Sequence, residues 1–239
     1  MSHFGPDSVS PNQLQKNLGM CFSATASFVA GVSLTGVGVV AFRSVEDSRQ
    51  YPLASVPLIF AVQQLIEGVV WLSLTHPAYE HFRWAASYAY LIFAQGVWPV
   101  WVPFSIMLLE DDRQRKRMLS FLTVLGCFLA TFLIYYVFLR QATAEIRGHH
   151  IHYGLDTPAI FRVFPGAVYV MVTVVSPFVS SVKRMSLLGW SSLSSLLLSV
   201  FYFEQALISV WCFFAAIISL VVIFVLHQHK GGPVKVVTS

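Results

Sequence analysis

Residues 52–74 read PLASVPLIFAVQQLIEGVVWLSL, twenty-three positions in which Glu67 is the one charged side chain. A helix crossing the hydrocarbon core of a bilayer needs about 20 mostly apolar residues, and this stretch supplies them. Near its middle, however, stand Gln63, Gln64 and Glu67. At that depth every polar group must find its partner in protein or in a water-filled cavity. One segment therefore sets both the fold class and the functional question.

Six further segments pass the same length and composition test. They are Phe22–Phe42, Trp84–Leu109, Met118–Leu139, Ala159–Ser181, Ser186–Phe203 and Ala206–Leu226. The last two follow from the 40-residue apolar stretch Leu187–Leu226, which is broken only by Glu204 and Gln205; it is too long for one crossing and long enough for two joined by a tight turn. Composition agrees: 56% of the 239 residues are hydrophobic and 11% charged, against about 25% charged in a soluble domain. The expected fold class is thus all-α, an integral membrane bundle of about seven transmembrane helices. Residues 1–19 and 230–239 read as disordered polar tails flanking a transmembrane domain over 20–229.

Lys and Arg distribute unevenly between the two sides of such a bundle. Arg43, Arg49, Arg113, Arg115, Lys116, Arg117, Lys183, Arg184, Lys230 and Lys235 fall on one side, and Lys16, Arg83, Arg140, Arg147 and Arg162 on the other. The richer side is expected in the cytoplasm. That puts the N-terminus outside, the C-terminus inside and the protein in the plasma membrane, multi-pass. The basic residues sit in short loops and form no continuous stripe, so nucleic acid is not an expected partner. The lipid bilayer, a small solute or cation, and further copies of the chain are the candidates.

Met20-Cys21-Phe22-Ser23-Ala24-Thr25-Ala26-Ser27-Phe28, then Gln63-Gln64-Leu65-Ile66-Glu67-Gly68, Trp98-Pro99-Val100-Trp101-Val102-Pro103 and Ser209-Val210-Trp211-Cys212-Phe213-Phe214-Ala215-Ala216 together resemble a family of uncharacterised bacterial polytopic membrane proteins. The resemblance runs from Met20 over nearly the whole chain. Members begin at the methionine of the Met-Cys-Phe-Ser motif, which implies that residues 1–19 extend the family pattern or precede the true start. It implies a polytopic fold and no activity.

Chemistry is sought in the polar residues that a membrane excludes. Of the eleven acids, Glu67 alone lies well inside a predicted helix; a carboxylate there costs a few kcal/mol unless protonated or paired. Gln63 and Gln64, four and three residues earlier, share its helix face, and Trp71 continues that face one turn on. Gln95 and Trp98 of the third helix join them as candidate ion- or solute-binding residues, beside Pro99 and Pro103, which should kink the helix and free carbonyls. Helix packing by mutual amide and acid hydrogen bonds is the plain alternative, as is an internal ion pair between Glu67 and Arg162. Packing also explains Ser23, Ser27, Gly31 and Thr35 at intervals of four on the first helix, and Ser191, Ser195 and Ser199 on the sixth.

The predicted orientation gathers Cys21, Glu67, Trp71, Glu204 and Cys212 in the outer half of the bundle, near an outer loop with His149, His150, His152 and Tyr153. Cys21, His152, Glu204 and Cys212 are therefore candidate zinc or copper ligands, although their spacing matches no metal motif. No lysine in Ala206–Leu226 offers a retinal Schiff base, and no histidine lies within a helix to serve a membrane protease or zinc hydrolase. No cofactor is named by the sequence. Two readings remain: a small transporter- or channel-like protein binding a cation, proton or small polar solute in an outward-facing intramembrane pocket, or a membrane enzyme or metal sensor using the outer Cys, His and Glu residues.

Overall fold

The computed structural model describes residues 23–148, 150–154, 159–202 and 215–229. Seven helices run through these residues. Helix α1 is Ala24–Arg43, α2 is Ser48–Thr75, α3 is Pro77–Leu109 and α4 is Arg113–Leu139. Helix α5 comprises Ala159–Val170, Met171–Val175 and Ser176–Val179; α6 is Met185–Tyr202 and α7 is Ala215–His229. The first four are each long and apolar enough to cross a membrane, while Val163–Val179 and Met185–Ser199 are shorter apolar helices. The chain is thus mostly helical, as expected. The Glu204–Gln205 turn and both tails lie outside the described residues.

The contact between α1 and α2 is antiparallel and built on small residues. Ser27, Gly31, Leu34, Gly38 and Ala41 are the buried positions of α1. A Cβ on Gly31 would meet the Leu65 side chain at 2.8 Å, one on Gly38 would meet Leu58 at 2.2 Å, and one on Gly68 would meet the Phe28 ring at 2.8 Å. The expected seam with a strict interval of four runs off the interface at Thr35, which is exposed and bonds back to the Gly31 carbonyl at 2.9 Å. Four residues advance a helix about 40° past a full turn, so a straight contact needs alternating steps of four and three.

Helices α3 and α5 are not regular. In α3 a π turn, Ile92–Val97, precedes Trp98–Leu109, with Pro99 in the first turn after it and Pro103 inside. In α5 the π turn Met171–Val175 precedes Ser176–Val179, with Pro177 in the corresponding place. A proline has no N–H to return to the carbonyl four residues earlier, and the ladder widens ahead of it. Helix-to-helix partners take up the widened backbone: the Tyr169 hydroxyl of α5 donates to the Ala94 carbonyl of α3 at 2.6 Å. The carbonyl of Pro99, denied its N–H by Pro103, lies so close to Gly126 of α4 that a Cβ there would stand 2.0 Å from its oxygen.

The predicted histidine loop is instead an antiparallel hairpin, Thr143–Arg147 with His150–Gly154. Its period-two alternation turns Ile151 and Tyr153 inward and leaves Glu145 and Arg147 outside, and Gly148 takes a left-handed φ of +60° at the turn. Tyr153 stacks on Tyr90 of α3 at 4.9 Å, and with Ile151 joins Val70, Trp71, Tyr88, Leu91 and Val137 in an apolar cluster. The hairpin thereby closes one end of the bundle. At the opposite end gather Arg49, the basic start of α4 and the α5–α6 connection.

Candidate functional site

Between those two ends, α2 carries its polar stripe into the interior. Gln63, Gln64 and Glu67 are 0%, 1% and 3% exposed. One i→i+3 step lets the Gln64 amide donate to the Glu67 carboxylate at 3.2 Å. Gln63 turns towards α3, where the Trp98 indole N–H donates to its Oε1 at 2.7 Å. The Trp98 ring is held by stacking on Phe60, one turn earlier in α2, with centroids 3.9 Å apart. The Trp98–Gln63 bond and the ring stacking fix the two helices in register in the buried interior, where a hydrogen bond is worth more than its counterpart at a surface.

The sequence-predicted residues separate in space. Gln63, Gln64, Glu67 and Trp98 come together; Gln95 stands half-buried on the π turn and makes no hydrogen bond to that group. Trp71 belongs to the apolar cluster under the hairpin, so it caps the stripe rather than extending its polarity. Of the candidate metal ligands, Cys21, Glu204 and Cys212 lie outside the described residues, as does the Arg162 side chain. His152 pairs across the hairpin with Glu145, Nδ1 to Oε1 at 3.5 Å. Among the described residues no group of three or more His, Cys, Asp or Glu is arranged to hold a metal ion.

On the far side of the Trp98–Gln63 bond from Glu67, a cavity of about 70 Å³ opens among α2, α3, α5, α6 and α7. Phe60, Trp98, Tyr169, Ser105, Thr173 and Ser192 are in its wall, and among the described residues no charged side chain lines it. It lies beside the irregular stretches of α3 and α5, where the Tyr169 hydroxyl bonds the Ala94 carbonyl of the α3 π turn. Sequence reasoning could not reach it, since its lining comes from five helices.

A second buried acid went unremarked in the sequence because it sits at a helix border. Glu110, immediately after α3, is fully buried and accepts from the Ser180 hydroxyl at 3.0 Å, the Ser181 amide at 2.6 Å, the Ser181 hydroxyl, and the Asp112 amide at 3.0 Å. Burial pushes its carboxyl up, but the Ser181 hydroxyl and amide, the Asp112 amide and the Ser180 hydroxyl outweigh that and hold it below the ordinary carboxylate value. Glu110 thus ties the end of α3 to the end of α5. Beside it Arg49 bridges Asp47 at 2.9 Å and Asp111 at 2.8 Å, and Arg115 donates to the Val179 carbonyl at 2.8 Å.

No curated protein and no solved structure matches the chain. The profile of one family does, over residues 20–235, which takes in α1 to α7, the Gln63–Glu67 stripe and the cavity wall. With most of its length matched, the chain belongs to that family, DUF6629, a family of unknown function.

Proposed function

We propose that this protein is a small transporter- or channel-like membrane protein that binds a cation, a proton or a small polar solute at Glu67. The observation that supports this reading is the burial of a carboxylate, with two amides, inside a helix long enough to span a bilayer. Ionisable residues so placed are costly and mark ion paths and proton relays by default. Gln64 orients the carboxylate, and the Trp98–Gln63 bond separates it from the cavity, as a gate between two compartments would.

The wider reading has seven crossings, the N-terminus outside and the C-terminus in the cytoplasm of a plasma-membrane protein, as the lysine and arginine bias indicates. A reporter fused after Ser239 is expected to be active in the cytoplasm, and a tag placed in the 148–150 turn to be reached from outside. Both reporters on one side would break the seven-helix count.

Flux decides the function. In vesicles holding a pH-sensitive dye, the reconstituted protein is expected to dissipate an imposed proton or cation gradient, and Glu67→Gln is expected to fold normally and lose that flux. Unchanged flux in Glu67→Gln would remove the residue from the path. Misfolding of Glu67→Gln that is rescued by adding Arg162→Met would make the acid one half of a structural pair.

A further inference from the structure

The cavity wall has an unusual allocation of hydrogen bonds. Trp98 gives its N–H to Gln63 and Tyr169 gives its hydroxyl to Ala94, so both aromatic residues have spent their donors elsewhere. Ser105 donates to the Val102 carbonyl at 3.0 Å and Thr173 to the Tyr169 carbonyl at 2.7 Å. On α6, Ser191, Ser195 and Ser199 likewise donate to carbonyls of their own helix at 2.8, 2.9 and 2.8 Å. The Ser192 side-chain hydroxyl, alone among the lining hydroxyls, bonds to no described residue, although it faces the cavity from the same helix. A hydroxyl inside an apolar bundle normally bonds back to its own helix.

Charge narrows the class of occupant. Neither Glu67 nor Glu110 lines the cavity, and among the described residues no Lys, Arg or His does, so an ion would find no compensating charge from them. The remaining wall is hydrocarbon and ring: Leu53, Val56, Phe60, Val102, Leu188 and Ile218. The volume of about 70 Å³ is well below the roughly 150 Å³ of a cavity that takes benzene and well above what one water needs.

From these observations we infer that the cavity is a binding site for a small neutral alcohol, its hydroxyl bonded to Ser192 and its short hydrocarbon part against Phe60 and Trp98. The site is distinct from Glu67 and does not depend on it. The Ser192 hydroxyl can donate to or accept from an alcohol hydroxyl, and a hydrocarbon can do neither.

The test uses two probes with the same number of heavy atoms, 2-fluoroethanol and 1-fluoropropane, titrated by fluorine NMR against the full chain in nanodiscs. Saturable binding of 2-fluoroethanol beyond that of empty nanodiscs is expected, tighter than 1-fluoropropane by about fivefold, as one net hydrogen bond gives. Ser192→Ala should remove that preference. Ser192→Leu should remove the saturable signal, and Val102→Phe, which fills the space from α3, should do the same if Ser192→Leu does not fold. Glu67→Gln should bind the alcohol as the native chain does, so that loss of flux and loss of this site are read separately. Signal that scales only with lipid, or that persists in both filled variants, would overturn the assignment, and so would equal affinity for the two probes.

Discussion

Helices α1 and α2 meet along a straight line of small residues, whereas α3 meets α4 and α5 through widened turns and prolines. In the first contact Gly31, Gly38 and Gly68 let side chains of the facing helix fill the space of a missing Cβ, and nothing is left over. In the second, backbone takes part: the Pro99 carbonyl rests on Gly126, the Ala94 carbonyl receives Tyr169, and a cavity remains between the helices. Side-chain packing can yield by a rotamer change, but a backbone carbonyl cannot. The difference teaches where the molecule tolerates change. The dry contact holds the scaffold, and the broken one carries the space in which a ligand can sit.

The comparison breaks most sharply at Gly126. Its Cβ would fall 2.0 Å from the Pro99 oxygen, so Gly126→Ala forces α3 and α4 apart instead of moving a side chain. A loss of about 3 kcal/mol or more is expected, at the upper end for overpacking, seen as a collapse of thermal stability in detergent. Gly38→Ala meets the Leu58 side chain, Cδ2 at 2.2 Å and Cγ at 2.5 Å, with the Leu58 amide nitrogen at 3.2 Å, and should cost about 1 to 2 kcal/mol. Equal losses at the two sites would erase the distinction between backbone and side-chain contact.

Part of the first contact, Ser27 and Gly31, was legible in the sequence, and most of the second was not. Hydropathy alone located the helices, because a span is a property of consecutive residues. Gln63, Gln64 and Glu67 share a face by their spacing, and the structure buries them together. The kinks expected at Pro99 and Pro103 take the form of a π turn before Trp98, and the same turn recurs in α5, where Pro177 sits at the edge of an apolar run and drew no attention. The hairpin escaped because its histidines and charges read as a solvated loop, while the alternation that marks a strand lasts only five residues on each side. Glu110 was set aside as a border acid. What gives it meaning is Ser180 and Ser181, seventy residues away.

Glu110 is the next place to press, since it fastens the two π-turned helices at their ends. Glu110→Ala leaves the Ser181 and Asp112 amides and two hydroxyls without their acceptor, and about 2 kcal/mol is expected to go with it. Acid should have a related effect. The folded carboxyl titrates below the ordinary glutamate value, so the carboxylate contributes stability that is present above that ordinary value and is lost as pH falls through the folded one. Thermal unfolding between pH 7 and pH 3 should therefore fall less steeply in Glu110→Gln than in the native chain. Parallel curves would mean that another group carries the acid sensitivity.

Tyr169→Phe tests the hydrogen bond that ties α5 to the π turn of α3. It removes the hydroxyl from the Ala94 carbonyl while keeping the ring in the cavity wall, and a loss of about 1 kcal/mol is expected. If the bond holds α3 and α5 in position, the same variant should also change alcohol affinity at Ser192, which is across the cavity on α6. Lost stability with unchanged affinity would reduce the bond to a local fastening.

The smallest effect is expected on α1 and has the opposite sign. Gly36 is exposed, and a Cβ there meets nothing within 4 Å. Its neighbour two residues on, Gly38, is buried against Leu58. A glycine inside a helix costs about 0.5 to 1 kcal/mol relative to alanine through the conformational freedom it loses on folding. Gly36→Ala should recover part of that, raising the midpoint of thermal unfolding by a degree or two, while leaving flux and alcohol binding untouched. The sign is the informative part, because both positions share one helix and one residue type and lie within a turn of each other. If Gly36→Ala destabilises as Gly38→Ala does, the exposed face of α1 is covered by a further packed surface, beyond the contacts this helix makes with α2 and α7.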